Sequence, residues 1–290
     1  MQRAEIAGRI IAWFAAHARP LPWREPDAGP WSVLVSEIML QQTPVARVLA
    51  PHAAWLERWP TPTALADDPV AEAVRAWGRL GYPRRAQRLH AAAVAIRDAH
   101  GGDVPDDHAA LLALPGVGAY TAGAVASFGF GQRHVVLDTN VRRVLARLEG
   151  GQQFPPASLT RAEVVRAEAW LPEEPADAAA WAAASMELGA LVCTAESPTC
   201  GSCPVADACA WLAAGRPDWD GPLRRRQTYA GTDRQCRGVL LAALRDADAG
   251  VPRTRLLTLW HTDPEQAARA LDSLVADGLA RVLPNGSLSL

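Results

Sequence analysis

The sequence predicts an all-α fold with a small mixed module at its end. Apolar residues recur at three- and four-residue spacing through most of the 290 residues, alanine is abundant, and no long alternating run appears. Proline and glycine cut this pattern at "RPLPW", "EPDAGPW", "RWPTPT", "RLGYPRR", "HGGDVP", "LPGVG" and "FGFGQ". The first stretch, "MQRAEIAGRIIAWFAAHARP", reads as an amphipathic helix with Ile6, Ile10 and Phe14 on one face. Between the later breaks, helices are expected over 31–43, 44–58, 69–79, 83–100, 107–112, 119–129, 139–148, 161–170, 176–191 and 205–213.

Composition shifts at "AAGRPDWDGPLRRRQTYAGTD", which reads as a linker over 216–233. The tail, 234–290, shows helical patterns in "RQCRGVLLAALRDA", "VPRTRLLTLW" and "DPEQAARALDSLVADG", the last opened by Asp263 as cap and Pro264 in the first turn. "LARVLPNGSLSL" follows as two short strands around an Asn285-Gly286 turn. Three helices and a hairpin predict a winged-helix-like module. Its third helix sets Asp263, Glu265, Asp272 and Asp277 against Arg269 alone, and such a surface repels phosphate. Contact with a protein partner, or packing on the main body, suits it better than DNA.

Net charge is −2, so overall charge points neither toward nucleic acid nor away from it. The chain has no lysine; all 29 of its Lys and Arg residues are arginine. No signal peptide is visible, and no apolar run approaches the roughly 20 residues that cross a bilayer. A cytoplasmic monomer without membrane attachment is therefore expected. In a reducing compartment, the four cysteines of "LVCTAESPTCGSCPVADACAW" read as metal ligands. These are Cys193, Cys200, Cys203 and Cys209; Cys236 stands apart and is expected only to pack. Four thiolates at this spacing can hold an iron–sulfur cluster or a zinc ion, and spacing alone leaves both open.

Three further features are candidates for chemistry, although taken singly Glu37 reads as an acid on an exposed stripe and Asp138 as a helix cap, and the plainer reading of the glycine hairpin is a corner between helices. "LLALPGVGAYTAGAVASF" sets Gly116 and Gly118 in a tight turn between two helical patterns. Such a hairpin grips a phosphate with backbone amides at the following helix N-terminus. In "WSVLVSEIMLQQTPVARV", Glu37 is the single acid of an apolar helix, with Val33 and Leu40 about one turn away. A carboxyl buried there would hold a proton it could donate. In "HVVLDTNVRRVLARL", Asp138 ends a short apolar run and precedes a helix, a position that favours its anion.

Hairpin, acids and cysteines occur together in one order. From Arg19 to Trp211 the chain resembles the helix-hairpin-helix DNA glycosylases of the endonuclease III superfamily. The resemblance is closest to the adenine-specific (MutY-type) branch, carried by "LPWR", "SEIMLQQT", "LGY", "LPGVGAYTAGA", "LDTNVRRVLAR" and "MELGALVC". It implies a six-helix barrel domain over 25–133 and an iron–sulfur helical domain from 1–24 and 134–215. It also decides for a structural [4Fe-4S] cluster on the four cysteines.

The implied activity is base-excision repair: removal of adenine mispaired with 8-oxoguanine or guanine in double-stranded DNA. Glu37 would protonate the adenine, Asp138 would stabilise the sugar cation, and Tyr120 would position Asp138. Arg19, Trp23, Arg24 and Glu187 match pocket positions. Gln42 and Tyr82 match residues that wedge into the duplex, with Thr43 and Leu80 nearby, and Arg84, Arg85 and Arg88 are candidates for phosphate contact. Lyases of the superfamily carry a lysine where this chain has Tyr120, so a monofunctional glycosylase is expected. Only about 60 residues follow the linker, too few for the usual domain that reads 8-oxoguanine. The rival readings are a thymine glycosylase acting on T·G mismatches and a non-enzymatic iron–sulfur sensor that binds DNA.

Overall fold

A computed structural model describes residues 3–221 and 228–290. Of the linker expected over 216–233, positions 222–227 lie outside the described residues. The chain is helical as expected, and its elements run in the order the sequence suggests. They are α1 (Arg3–His17), α2 (Gly29–Leu40), α3 (Val45–Arg58), α4 (Pro62–Asp67), α5 (Val70–Ala76), α6 (Arg84–Ala99), α7 (His108–Ala113), α8 (Ala119–Phe130), α9 (Thr139–Leu148), α10 (Arg161–Trp170), α11 (Pro175–Leu191) and α12 (Ala210–Ala213). The tail adds α13 (Asp233–Arg245), β1 (Val251–Pro252), α14 (Arg253–Leu257), α15 (Pro264–Ala276), β2 (Arg281–Val282) and β3 (Ser287–Ser289). The three strands form an antiparallel sheet in the order β1-β3-β2, with Val251 opposite Leu288 and Arg281 opposite Ser289. Three helices with this hairpin make the winged-helix-like module.

Several boundaries differ from the sequence reading: α5 ends at Ala76, not 79, Val251–Pro252 is a strand and not helix, and two further differences have a plain local reason. Helix α2 stops at Leu40, not 43, because Gln42 takes a positive φ of 56° that an α-helix cannot accommodate. The helix expected over 205–213 is broken: Ala206–Ala208 forms a 3-10 turn, and α12 begins only after Cys209. Helix α4 had been read as punctuation. Thr61 caps it, its hydroxyl accepting from the Ala64 amide, and Pro62 fills the first turn.

The described residues fall into two compact units that cut across the sequence-based division. The first comprises 3–37, 104–113 and 117–221. Its core joins Ile6 and Ile10 of α1 to Val141, Val144, Leu145 and Leu148 of α9, Trp170 of α10, and Trp181 and Leu188 of α11. Gly189 lets α11 approach the start of α9. A Cβ at that position would stand 2.7 Å from Asn140 Cβ and 2.9 Å from its carbonyl oxygen.

The second unit comprises 38–103, 114–116 and 228–290. Helix α6 packs on α4 and α5, over Trp55, Trp59 and Trp77, whose rings meet edge to face at 4.6 and 5.6 Å. The tail module belongs to this unit. The attachment is made by guanidinium groups on backbone carbonyls. Arg75 donates to the Arg245 and Ala247 carbonyls, and Arg245 donates to those of Val74 at 2.9 Å and Gly78 at 2.5 Å. Gln87 reaches the Gly278 carbonyl at 2.8 Å, and Asp277 pairs with Arg84 at 3.4 Å and with Arg237 at 2.6 Å. Cys236 is fully buried in the module, as expected of a packing residue.

Gly189→Ala is expected to destabilise the protein by about 1–3 kcal/mol, because α9 and α11 must part to admit the methyl group. Urea unfolding of the two proteins checks this; equal midpoints would exclude the close approach.

Candidate active site

Helix α2 is buried continuously from Trp31 to Met39, so an acid placed within it has no face to turn to water. Glu37 is that acid and is 5% exposed. Burial pushes its carboxyl up to about 7; a hydrogen bond from the Tyr120 hydroxyl and the charge of Arg24 act the other way, while the charge of Asp138 adds to the rise. Tyr120, in the first turn of α8, is raised well above the ordinary phenol range by burial and by the two carboxyl groups. Glu37, Tyr120 and Asp138 are thus brought together as the sequence reading requires.

Asp138 is the N-cap of α9. One carboxyl oxygen accepts from the amides of Asn140 at 2.8 Å and Val141 at 2.7 Å, and the other accepts from Asn140 Nδ2 at 2.7 Å. These donors and Arg143 favour the anion, yet burial outweighs them and the net shift is upward. The helix N-terminus alone had suggested the opposite sign. Tyr120 and Asp138 keep partial exposure, while Glu37 is buried.

Three of the four pocket candidates interlock. Glu187 is fully buried in α11; its Oε1 accepts from Arg19 Nε at 2.7 Å, and its Oε2 accepts from Arg19 at 2.7 Å and Arg24 at 3.0 Å. Burial would raise the Glu187 carboxyl, but the two guanidinium groups hold it down at about 2. Arg24 Nη1 is buried and has no hydrogen-bond partner. An orphaned buried donor of this kind is what a polar ligand would satisfy. Trp23 is buried next to Arg24 in the short 3-10 turn Pro22–Arg24.

The four clustered cysteines are unpaired thiols that share one neighbourhood. Burial pushes Cys203 up to about 11, and the other three thiols add to the rise. Among the described residues, no three His, Cys, Asp or Glu side chains are close enough to hold a single metal ion. The loop is fastened by arginines of α9. Arg147 donates to the Thr194 carbonyl at 2.7 Å, to the Ala195 carbonyl at 3.1 Å and to Cys193 Sγ at 3.4 Å. Arg143 donates to the carbonyls of Cys193 and Gly189 and to Asn140 Oδ1, each at 2.7 Å. Because Asn140 also donates to Asp138, an unbroken chain of hydrogen bonds joins Cys193 to that carboxylate. The sequence motif contained both arginines, but nothing in the pattern showed where their forks would reach.

In the second unit, Gln42 and Tyr82 are exposed, whereas Thr43 and Leu80 are buried. Arg85, a candidate for phosphate contact in the sequence, is only 5% exposed and reaches no surface. Its guanidinium donates to the carbonyls of Ile38 at 2.9 Å, Met39 at 3.0 Å, Gln41 at 2.5 Å and Gly81 at 3.0 Å, and to Thr43 Oγ1 at 3.0 Å. Gly116 takes a positive φ of 82°, and a Cβ there would fall 2.7 Å from Arg88 Cβ. In the first unit, Gly118 caps α8 without a side-chain acceptor, which leaves the first amides of that helix to another partner. A cavity of about 410 Å³ lined by Arg3, Ile6, Leu148, Glu149, Trp170 and Ala208 includes none of the candidate site residues.

Against known proteins, residues 35–168 match the family described as HhH-GPD superfamily base excision DNA repair protein. The chain is 52% identical over 281 residues to the adenine DNA glycosylase of Mycobacterium tuberculosis strain H37Rv, spanning 97% of this chain and 92% of that one. It is 39% identical over 212 residues to the human adenine DNA glycosylase, covering 70% of this chain and 38% of the human protein. Among solved structures, a thermostable thymine-DNA glycosylase matches with a TM-score of 0.66 at 25% identity, over 73% of this chain and 97% of that one. A non-covalent endonuclease III–DNA complex matches at 0.62 and 24% identity, over 75% and 100%, and shows the shared fold.

Tyr120→Phe removes the hydrogen bond that opposes the rise at Glu37. The Glu37 carboxyl is therefore expected to titrate above its present value of about 7. Carbon-13 NMR of glutamate-labelled protein reads this directly, and a downward movement would exclude the contact.

Proposed function

The chain belongs to the adenine DNA glycosylases of the HhH-GPD superfamily, and on that premise we propose a mechanism of adenine release by its own side chains. The protein is a base-excision-repair glycosylase. The observation that carries the mechanism is a buried Glu37, raised to about 7, bonded to Tyr120 and within electrostatic reach of Asp138.

An adenine extruded from the duplex would present its ring nitrogens to Glu37. Protonation at N7 withdraws electrons from the glycosidic bond and makes the base a better leaving group. A carboxyl with its affinity for protons near neutrality suits that task, being protonated in a large fraction of molecules and still a competent donor. As the bond breaks, positive charge develops on the sugar and would draw out the anion of Asp138, which three N–H donors orient and favour against the opposing effect of burial. Tyr120, bonded to Glu37 and close to Asp138, holds the two carboxyl groups in register. Glu37, now deprotonated, takes a proton from the attacking water. One carboxyl kept protonated and another kept ionised is the split this reaction needs. The free N–H of Arg24 and the Glu187 carboxylate would meet the polar edge of the base.

The partner is double-stranded DNA containing adenine opposite 8-oxoguanine or guanine. The uncapped amides of α8 that follow Gly118 would grip backbone phosphate. Gln42 and Tyr82, exposed on their loops, would enter the duplex beside the opposite base. No lysine is available to form a Schiff base, so the product is an abasic site in an intact strand.

Cys193, Cys200, Cys203 and Cys209 would hold a [4Fe-4S] cluster. Four thiols in one neighbourhood are a donor set that such a cluster takes, and the family resemblance favours iron over zinc for it. Bound there, the cluster would brace the loop; the donors of Arg143 and Arg147 would orient Cys193.

Single-turnover excision on duplexes with A opposite 8-oxoguanine, A opposite G and T opposite G tests the mechanism. Adenine release is expected from the first two. Glu37→Gln and Asp138→Asn are expected to lose at least about 100-fold in rate, the lower end of what one general acid contributes. The rate should fall as pH rises through about 7, because a donor raised to that value loses its proton there. Release of thymine alone, or strand breakage before alkali treatment, would refute the assignment. The purified protein should also contain iron and acid-labile sulfide in equal amounts; stoichiometric zinc in their place would refute the cluster.

A further inference from the structure

Tyr82 and Gln42 are bulky residues held at positive φ, 46° and 56°, where side chains of L-residues are costly to place. Arg85 supports both loops from within, by the carbonyl and hydroxyl contacts already described. A second guanidinium meets Tyr82 from the tail module. Arg234, in the first turn of α13, lies 4.8 Å from the Tyr82 ring centre, and its Nη1 donates to the Tyr82 hydroxyl at 3.0 Å. The same guanidinium lies 5.3 Å from the ring of Tyr229, just before α13. Tyr82 nevertheless remains 41% exposed. Its ring is therefore oriented, not hidden.

The module is attached to the rest of its unit through Arg75, Arg245, Gln87 and Arg84, so it can impose that orientation. Its own third helix is acidic and offers no footing for phosphate. We propose that the C-terminal module is a positioning element for the loop that enters the duplex, with Arg234 as the residue that acts. By stacking on Tyr82 and holding its hydroxyl, Arg234 fixes the phenol ring in the attitude it presents to the base opposite the adenine. The module thereby influences discrimination between 8-oxoguanine and guanine without touching either. This inference rests on the reading of Tyr82 as a duplex-entering residue.

The test is a double-mutant cycle in the full-length chain, using Arg234→Met, Tyr82→Ala and the double variant. The probe is a duplex with 2-aminopurine beside the opposite base and the target adenine on a 2′-fluoro sugar, which resists bond cleavage. Affinity and fluorescence then report entry into the stack independently of catalysis. Arg234→Met is expected to weaken binding of the 8-oxoguanine duplex about fivefold, the size of one cation–π contact with its hydrogen bond, and to reduce the fluorescence change. In the Tyr82→Ala background the same substitution should have almost no effect. Arg234→Lys should restore only part of the loss, since an ammonium cannot stack as a planar fork does. Equal losses in both backgrounds, together with a shallower salt dependence, would identify Arg234 as a phosphate contact and overturn the proposal. Unchanged affinity in Arg234→Met would also overturn it. Coupling without adenine release by the wild type from a natural A·8-oxoguanine duplex would support the module's role and refute the catalytic reading alone.

Discussion

The proposed chemistry depends on a carboxyl group taken out of water. Helix α2 is buried on every side from Trp31 to Met39, so Glu37 has no solvated rotamer to escape to, and burial raises its carboxyl to about 7. Other features of the first unit make that expensive placement tolerable. Tyr120 supplies a hydrogen bond, and Arg24 supplies a positive field without forming a full ion pair. Arg24 can stay at a distance because Glu187 engages one arm of its fork. Had Arg24 paired directly with Glu37, the carboxyl would have ionised and the acid would be lost.

Asp138 solves the complementary problem by backbone means. A helix N-terminus supplies two amides and the Asn140 side chain a third donor, so the carboxylate is oriented even though burial works against its charge. Asn140 is oriented in turn by Arg143, whose other donors end on the carbonyls of Gly189 and Cys193. The cysteine loop and the carboxylate therefore belong to one polar network, and each link has low freedom because the next one restrains it.

Much of this was legible in the sequence, for physical reasons. A lone acid in an apolar helix, an Asp before a helix start, a Gly-rich hairpin and four spaced cysteines are all local patterns. The simplest reading of Asp138, a helix cap, is what the structure shows, and the catalytic role proposed for it draws on the same carboxyl. Helix α4 was missed although Thr61 and Pro62 carry a proper start signal, because the surrounding prolines were read only as breaks. Arg85 was misplaced because a basic residue after a turn looks solvated, and nothing local says that carbonyls from two distant loops converge on it. The sign of the shift at Asp138 was missed for a similar reason: capping is local, whereas burial is a property of the folded whole.

The attachment of the tail has a consequence for how the sequence can drift. Arg75 and Arg245 reach across to main-chain oxygens, and every residue type offers the same oxygen. Substitution at Val74 or Ala247 keeps the accepting carbonyl, while loss of either arginine removes several contacts at once. The joint thus constrains two guanidinium groups far more than the side chains of the residues whose carbonyls they grip.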